Sequence, residues 1–204
     1  MYTHKFIVGI LSTNCYIVKG DGSNEVVIID PGGGYDRIKE LCTKKEYEVK
    51  AILLTHGHFD HVLDLSNWKN DGVPIYIHKL DEKYLDPDKT PSPRFKCPTK
   101  VQADYYLNDE QILNFGNIQL KVLHTPGHSP GSVCYINKDD IYSGDTLFYG
   151  DYGRYDFSDG NLDDLKKSIS KLFTLSDEYA VHPGHGPTTL LKNEKLQNKI
   201  NEIL

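Results

Sequence analysis

The sequence predicts an α/β or α+β sandwich, and three of its features support that fold class. Runs of β-branched and aromatic residues end repeatedly at clusters of Gly and Pro, as strands closed by turns do. Amphipathic segments with a period of about 3.6 residues lie between these runs and predict interspersed helices. The 204 residues contain no internal repeat, low-complexity segment or linker, so we expect one domain over residues 1-204. Periodicity alone does not decide between the two fold classes.

The first half of the chain alternates strands with helices. Apolar runs predict strands in KFIVGILSTNCYIVKG and EVVII, each ended by Gly or Pro. Asp36 is a suitable N-cap for a helix whose inner face carries Ile38, Leu41 and Cys42. The next predicted elements are, in order, the strand VKAILLT, a helix over 62–69, the strand VPIYIH and a helix over 80–85.

The second half begins with a stretch rich in Pro and Lys, DPDKTPSPRFKCPTK at 86–100, which predicts an exposed loop. Beyond it, IQLKVLH alternates apolar and polar residues as a half-buried strand does, and SVCYI and DIYSG are expected to pair as a hairpin. EYAVH predicts a last strand before a C-terminal helix. An amphipathic helix is predicted between DIYSG and EYAVH, and one of its faces carries Leu162, Leu165, Ile169, Leu172 and Phe173.

Composition and charge exclude several classes of partner. The formal charge of −6 and a pI near 5.8 leave no excess basic surface, so we expect no nucleic-acid partner. No segment reaches the roughly 20 apolar residues of a membrane span, and MYTHKFIV does not resemble a secretory signal. The cysteines lie far apart without a CxxC pair, which favours reduced thiols and a cytoplasmic protein. These cysteines are Cys15, Cys42, Cys97 and Cys134.

The stretch THGHFDH, residues 55–61, places three histidines and an aspartate directly after the apolar run VKAILL. Three other predicted strands end in the same way, with TPGHSPGS presenting His128, SGDTLF presenting Asp145 and HPGHGPTT presenting His185. Rigid strands commonly position reactive side chains on the loops at their ends. We therefore expect the four loops to converge on one site, with the 86–100 loop at its border.

These side chains have the chemistry of a metal site, because imidazole nitrogens and carboxylate oxygens bind zinc and similar divalent ions. Histidines at positions i and i+2 of an extended segment project to the same side. The set is too large for one tetrahedral zinc but suits two ions that share a carboxylate. Its members are His56, His58, Asp60, His61, His128, Asp145 and His185.

Other polar residues have simpler interpretations. Asp145 taken alone is a common turn residue, and its place after a strand near the histidines is what favours a bridging role. Asp30 in IIDPGG either hydrogen-bonds a ligand histidine or begins the Asp-Pro turn, and the sequence leaves both open. The remaining histidines complete no ligand spacing and are expected to be exposed or structurally hydrogen-bonded. They are His4, His78, His124 and His182.

At these motifs the sequence resembles the metallo-β-lactamase superfamily, and within it the short bacterial form of the glyoxalase II type, the hydroxyacylglutathione hydrolase-like enzymes. The match runs in order from NCYIV to PGHGPTT. The resemblance implies an αβ/βα sandwich of two mixed β-sheets flanked by helices, with the metals at one edge. It also implies that His56, His58 and His128 bind one ion, that Asp60, His61 and His185 bind the other, and that Asp145 binds both.

The implied activity is hydrolysis of a small thioester, such as S-lactoylglutathione to lactate and glutathione, by a hydroxide held between two ions about 3.5 to 4 Å apart. Zinc is the expected metal, with iron or manganese as alternatives. Asp60 would be a ligand that also orients the water, and Arg154 in DYGRYDF would contact the substrate. Arg154 is equally well interpreted as a surface arginine paired with Asp151 or Asp156. The C-terminal helical domain that grips glutathione in full-length relatives is not expected here.

Other activities of the same superfamily stay open. A persulfide dioxygenase would use one iron held by His56, His128 and Asp145, and a lactonase would use the same dinuclear site. A metal-binding module without catalysis would lack an open coordination position. The β-lactamases themselves are expected to resemble this chain less, because they typically lack the Asp145 carboxylate. The identity of the acyl group and thiol, and the oligomeric state, are not predicted.

Overall fold

The first of two β-sheets is built from the N-terminal half of the chain. The computed structural model describes residues 1–90 and 99–204. The first sheet has six strands in sequence order, antiparallel over the first three and parallel over the rest, so it is mixed. These strands are β1 (Tyr2–Val8), β2 (Thr13–Lys19), β3 (Glu25–Ile29), β4 (Glu48–Leu53), β5 (Ile75–His78) and β6 (Tyr105–Leu107).

The second sheet comes from the C-terminal half and is also mixed, because one of its pairings is parallel. Its strands are β7 (Ile112–Phe115), β8 (Ile118–His124), β9 (Val133–Ile136), β10 (Asp140–Gly144), β13 (Ala180–Pro183) and β14 (Thr189–Leu190), in the spatial order β14-β13-β10-β9-β8-β7. A separate ribbon pairs β11 (Leu147–Phe148) with β12 (Asp151–Tyr152).

Five helices accompany the sheets within the described residues. They are α1 (Tyr35–Lys44), α2 (Phe59–Val62), α3 (Leu65–Asn70), α4 (Leu162–Phe173) and α5 (Leu191–Gln197), with 3₁₀ turns at Lys79–Leu85 and Lys199–Glu202. No helix in residues 1–90 or 99–204 has both the length and the apolar character needed to cross a bilayer.

Three apolar clusters show how these layers are stacked. Between the sheets, Tyr16 and Val27 of the first pack with Val122 and Tyr135 of the second. On the outer face of the first sheet, α1 and α3 bury their apolar sides, which include Trp68. On the outer face of the second sheet, α4 and α5 do the same. This order of helix, sheet, sheet and helix is the αβ/βα sandwich that the family resemblance implied, and it agrees with the sandwich predicted from the sequence pattern.

The predicted strands and the β9–β10 hairpin are confirmed, but several helix predictions need correction. The helix expected after Asp36 begins at Tyr35, because Gly34 adopts a left-handed φ of +75° as its N-cap. The carboxylate of Asp64 accepts the N–H of Tyr35 at 2.7 Å and so satisfies the helix end that Asp36 was expected to cap. The helix predicted over 62–69 is divided between α2 and α3 at Leu63 and Asp64.

Further differences concern short elements. The helix predicted over 80–85 is a 3₁₀ turn, and five strands of two to four residues were not predicted, namely β6, β7, β11, β12 and β14. Most of the predicted 86–100 loop, residues 91–98, lies outside the described residues, as does Cys97. The other cysteines, Cys15, Cys42 and Cys134, are buried free thiols.

Candidate metal centre

The predicted ligands lie at the end of the sandwich where four strands finish. β4 leads into the loop that carries His56 and His58, and this loop enters α2 with Asp60 and His61. His128 follows β8, Asp145 follows the last residue of β10, and His185 follows β13. One of these strands, β4, belongs to the first sheet and the other three belong to the second, so the site joins the two halves of the fold.

The first ligand set consists of His56, His58 and His128, which are 1%, 5% and 2% exposed. Nε2 of His128 lies 2.8 Å from Nδ1 of His58 and 3.2 Å from Nε2 of His56. At most one proton can lie between each pair of these imidazole nitrogens, so the three nitrogens cannot all be protonated. Their lone pairs therefore converge on a position that suits a cation.

The second ligand set consists of Asp60, His61 and His185. Oδ2 of Asp60 lies 3.2 Å from Nε2 of His185 and 3.4 Å from Nε2 of His61. His61 is fully buried, whereas the side chain of His185 is 27% exposed and borders the solvent. This set therefore combines a carboxylate with two imidazoles and has one open side.

Asp145 lies between the two sets. Its Oδ2 is 3.6 Å from Nε2 of His128 in the first set and 3.4 Å from Nε2 of His185 in the second. Its Oδ1 is 3.4 Å from Nε2 of His61. One carboxylate thus faces ligands of both sets, which is the position that a bridging ligand requires.

Hydrogen bonds on the far side of three rings orient them toward the site. Nδ1 of His128 faces the carbonyl oxygen of Arg154 at 2.7 Å, and a carbonyl can only accept, so Nδ1 carries the proton. Nδ1 of His61 likewise faces Asp30 at 2.9 Å. Nδ1 of His56 lies 3.1 Å from the hydroxyl of Thr55. In the neutral rings, Nε2 therefore presents its lone pair to the site.

Asp30 fulfils both interpretations that the sequence left open. Its carboxylate accepts the backbone N–H of Thr55 at 2.8 Å and the Thr55 hydroxyl at 2.6 Å, in addition to its contact with His61. Its φ of +52° and its carbonyl, which accepts the N–H of Gly32 at 2.8 Å, also form the turn before Gly32. With its oxygens occupied in this way, Asp30 orients His61 rather than facing the open part of the site.

The pKa values of the histidines are shifted in opposite directions in the two sets. Burial, reinforced by the neighbouring histidines, lowers the pKa of His56 well below its usual value and that of His58 to about 3. Burial also acts to lower the pKa of His185, but the carboxylates of Asp145 and Asp60 outweigh it and raise the pKa to about 9. Burial acts to raise the pKa of Asp60, but His61 and His185 outweigh it and lower the pKa to about 2.

Two observations besides the donor chemistry indicate that these residues suit divalent metal ions. Nε2 of His61 and Oδ1 of Asp145 are buried and lie 3.4 Å apart, yet neither forms a hydrogen bond within the described structure. A Cβ atom at position 184 would collide with Oδ1 of Asp145 and lie 2.8 Å from Cε1 of His61, so Gly184 keeps this space clear. A cation between the two orphaned atoms would satisfy both.

Two buried residues of β2 that were not predicted from the sequence support the second set. The hydroxyl of Thr13 donates to Oδ2 of Asp60 at 2.8 Å. The amide of Asn14 donates to the carbonyls of Pro183 and Gly186 at 2.8 and 2.9 Å and so holds the loop that carries His185. Both residues are buried, and two polar residues at the start of an otherwise apolar strand were the available signal.

A cavity of about 530 Å³ opens above the ligands. Its walls are largely apolar, and Thr90, close to residues 91–98, borders it as expected of the 86–100 loop. The apolar wall residues are Leu11, Phe59, Phe148, Tyr152 and Phe157.

Arg154 also borders the cavity, and it is paired at the same time. Its guanidinium donates to Asp156 at 2.7 and 2.9 Å and lies 4.2 Å from the centre of the Phe157 ring. Asp151 pairs instead with Lys199. Of the two sequence interpretations, pairing with Asp156 is observed and contact with a substrate stays a prediction.

The other four histidines lie outside both ligand sets, with partners of their own. His4 contacts the Tyr47 hydroxyl, and His182 contacts Asp140 at 2.9 Å. The rings of His78 and His124 stack with centroids 4.2 Å apart. These contacts agree with the structural roles expected for them.

Comparison with known proteins adds the family. The family model described as the metallo-β-lactamase superfamily matches residues 8–185. The chain belongs to this superfamily. It is 40% identical over 199 residues to "Probable metallo-hydrolase YqgX" of Bacillus subtilis, covering 94% of this chain and 93% of that protein. It is 35% identical over 193 residues to "Hydroxyacylglutathione hydrolase GloC" of Haemophilus influenzae, covering 91% of each.

Two solved structures of superfamily members are similar over nearly the whole chain. The structure of BLEG-1, titled a B3 metallo-beta-lactamase, has a TM-score of 0.91 at 34% identity and covers 98% of this chain and 99% of its own. TTHA1623 in a di-iron-bound form has a TM-score of 0.85 at 33% identity, with 97% and 99% covered. The match to BLEG-1 does not support the expectation that β-lactamases resemble this chain less.

Together these findings establish the function at a coarse level. Superfamily members are generally hydrolytic enzymes, and the clustered histidines and aspartates suit divalent metals. The chain is a metallo-hydrolase of the metallo-β-lactamase superfamily.

Proposed function

We propose that this superfamily member is a dinuclear metal-dependent hydrolase of small thioesters, similar to hydroxyacylglutathione hydrolases. The observation that carries the proposal is the position of Asp145, whose carboxylate faces His128 of the first set and His185 of the second at 3.6 and 3.4 Å beneath a cavity. A shared carboxylate suits two ions, and two ions suit hydrolysis by water. The likeness to GloC supports a thioester as the substrate.

The first ion would be held by His56, His58 and His128, the second by Asp60, His61 and His185, and both by Asp145. Zinc suits a site of imidazoles and carboxylates, while the di-iron form of TTHA1623 supports iron as an alternative and manganese is a third. When bound, such ions lower the pKa of water to about 7 and polarise a carbonyl oxygen.

The side chains of this protein would then orient water and substrate. Asp60 is ionised at neutral pH, accepts a hydrogen bond from the Thr13 hydroxyl and borders the cavity. It can therefore also accept a hydrogen bond from the attacking water. No protein nucleophile is needed, and the sequence contains no GxSxG motif. A thiolate leaves without a strong general acid, because a thiol is much more acidic than an alcohol.

The cavity walls indicate how a thioester would lie. Phe148, Tyr152 and Phe157 offer apolar surface to the aliphatic part of the acyl group or the thiol. Arg154 at the border would face a carboxylate of the substrate, at the cost of part of its ion pair with Asp156. A small molecule is therefore the proposed partner.

The test is a parallel assay of the purified protein, with its metal content measured, against S-lactoylglutathione, a simple acyl thioester, an acyl lactone and a β-lactam. We expect thiol release from a thioester to be fastest, and we expect Asp60→Asn to lower kcat more than it raises KM. Faster lactone or β-lactam hydrolysis would replace the thioester with that substrate. Full turnover with only one ion per chain would overturn the dinuclear mechanism.

One further candidate is favoured by a specific contact. Nε2 of His128 lies 3.2 Å from Nε2 of His56 and 3.6 Å from Oδ2 of Asp145, so these three residues form a group of two imidazoles and a carboxylate. Such a group suits a single iron and the persulfide dioxygenase reaction. Oxygen uptake with glutathione persulfide, at one iron per chain, would establish this activity instead.

A further inference from the structure

Asp81 is a buried carboxylate that belongs to neither ligand set. It lies in the 3₁₀ turn Lys79–Leu85 directly after β5 and is fully buried. Its Oδ2 accepts the backbone N–H of Gly57 at 3.0 Å and the hydroxyl of Ser129 at 2.6 Å. Its Oδ1 accepts the backbone N–H of Gly131 at 2.6 Å. All three donors lie in the loops that carry ligands of the first set.

These loops come from different sheets. Gly57 separates His56 from His58 after β4 of the first sheet, and Ser129 directly follows His128 after β8 of the second. One carboxylate thus ties the two loops together. We propose that Asp81 is a positioning residue, which sets the separation between His56 and His58 on one loop and His128 on the other so that the first metal site is preformed.

The glycines beside Asp81 agree with this role. A Cβ atom at Gly131 would lie 2.6 Å from Oδ1 of Asp81, and one at Gly57 would lie 2.7 Å from the backbone oxygen of Asp81. Contacts this short would force the turn or the loops to shift, so glycine at both positions permits their close approach. The sequence therefore keeps space free on each loop for the same residue.

A carboxylate is an expensive residue to bury, and its partners here are mostly backbone groups. Burial raises the pKa of Asp81 to about 6, although the three hydrogen bonds counteract this effect. If the turn only needed to fill space, an apolar side chain would serve at lower cost. The carboxylate supplies what an apolar side chain does not, namely acceptors for N–H groups on two separate loops.

The inference rests on the proposed first metal site but not on the proposed substrate, so its test uses metal binding without turnover. Metal-free wild-type and Asp81→Asn proteins are titrated with Co²⁺, and the visible spectrum is recorded. An amide puts an NH₂ donor in place of one carboxylate oxygen, so that donor faces the backbone N–H of either Gly57 or Gly131. We therefore expect Asp81→Asn to weaken binding of one of two ions by about 10- to 100-fold and to alter its absorption bands.

Glu194→Gln is the matched control, because Glu194 is also buried and accepts a backbone N–H, that of Gly150, and a hydroxyl, that of Thr189. Neither partner lies in a loop of the first set, so this variant should leave Co²⁺ binding by the first set within about twofold. If Asp81→Asn folds poorly, Ser129→Ala, which removes one of the three hydrogen bonds, should give a smaller change of the same kind.

An unchanged affinity and spectrum in Asp81→Asn and Ser129→Ala would overturn the inference. So would an equal loss in Glu194→Gln, because it would show that general destabilisation is responsible. Failure of the wild type to bind Co²⁺ would instead remove the proposed metal site, and with it this role for Asp81.

Discussion

The two proposed ligand sets are held in place by different interactions. The first set contains imidazoles only and is almost completely buried, and its histidines have lowered pKa values. The second set balances Asp60 against His61 and His185, and His185 is partly exposed. Without metal, the histidines of the second set have raised pKa values, because the carboxylates favour their charged form.

The difference shows which part of each set is preorganised. In the first set, burial keeps the lone pairs available, and the hydrogen bonds of His56 and His128 fix their rings. In the second set, attraction between opposite charges holds the ligands together. We therefore expect the first set to depend on packing and the second on charge, and the following predictions test this contrast.

The largest effect is expected from Asp145→Asn, because this residue faces both sets. An amide supplies one oxygen in place of two, so we expect the metal content to fall below two ions per chain and kcat to fall by about three orders of magnitude. Elemental analysis and a thioester assay measure the two effects. Asp151→Asn alters another aspartate at the cavity border and should retain both ions. Two retained ions in Asp145→Asn would exclude the bridging role.

Replacing one histidine in each set should separate them. His56→Ala opens a buried gap in the first set and should weaken binding of one ion by at least about 100-fold. His185→Ala should weaken binding of the other ion by only about tenfold, because water can reach the exposed position of that ring. Calorimetric titration with Zn²⁺ gives both values. Equal losses would show that burial does not distinguish the sets.

Thr13→Val tests the second set through a residue that supports a predicted ligand without being one itself. Loss of the hydroxyl removes the 2.8 Å hydrogen bond to Asp60, so we expect about tenfold weaker binding of one ion with the other unaffected. Thr3→Val is the matched control, since Thr3 lies in β1 next to β2 and shares a hydrogen bond with the hydroxyl of Tyr142 rather than with a predicted ligand. Weaker binding of both ions in Thr13→Val would mean that the two sets are not independent.

The smallest effect concerns a neutral histidine outside either set. Burial, with a contribution from His124, lowers the pKa of His78 to about 4, so the unfolded chain takes up this proton before the folded one. The folded state therefore loses stability as the pH falls from about 6.5 to about 4. With allowance for solvent screening at this half-buried residue, the contribution is about 1 kcal/mol.

Denaturant unfolding of wild type and His78→Gln at several pH values measures this contribution. The wild type should lose about 1 kcal/mol more than the variant between pH 7 and pH 4. Parallel pH dependence in the two proteins would show that burial alone does not keep His78 neutral, and would weaken the same argument for the first set.

Much of the site could be predicted because its signals are local. Strands that end at Gly and Pro place His128, Asp145 and His185 at loop starts, and THGHFDH is one continuous motif. Supporting residues gave weaker signals. Asp81 in HKLDEK is indistinguishable from an exposed acidic residue at a helix start, and its burial arises only when the two sheets bring their loops to it. The short strands β11 and β14 carry no periodic pattern at all.

The contact between β2 and the His185 loop has a consequence for how the protein is made. The Asn14 amide reaches the Gly186 carbonyl, a partner 172 positions further along the chain. The second ligand set therefore cannot be completed until nearly all of the polypeptide has left the ribosome, whereas His56, His58 and His128 are available earlier. Asn14→Ala, which removes this amide but no predicted ligand, should consequently weaken the second set more than the first.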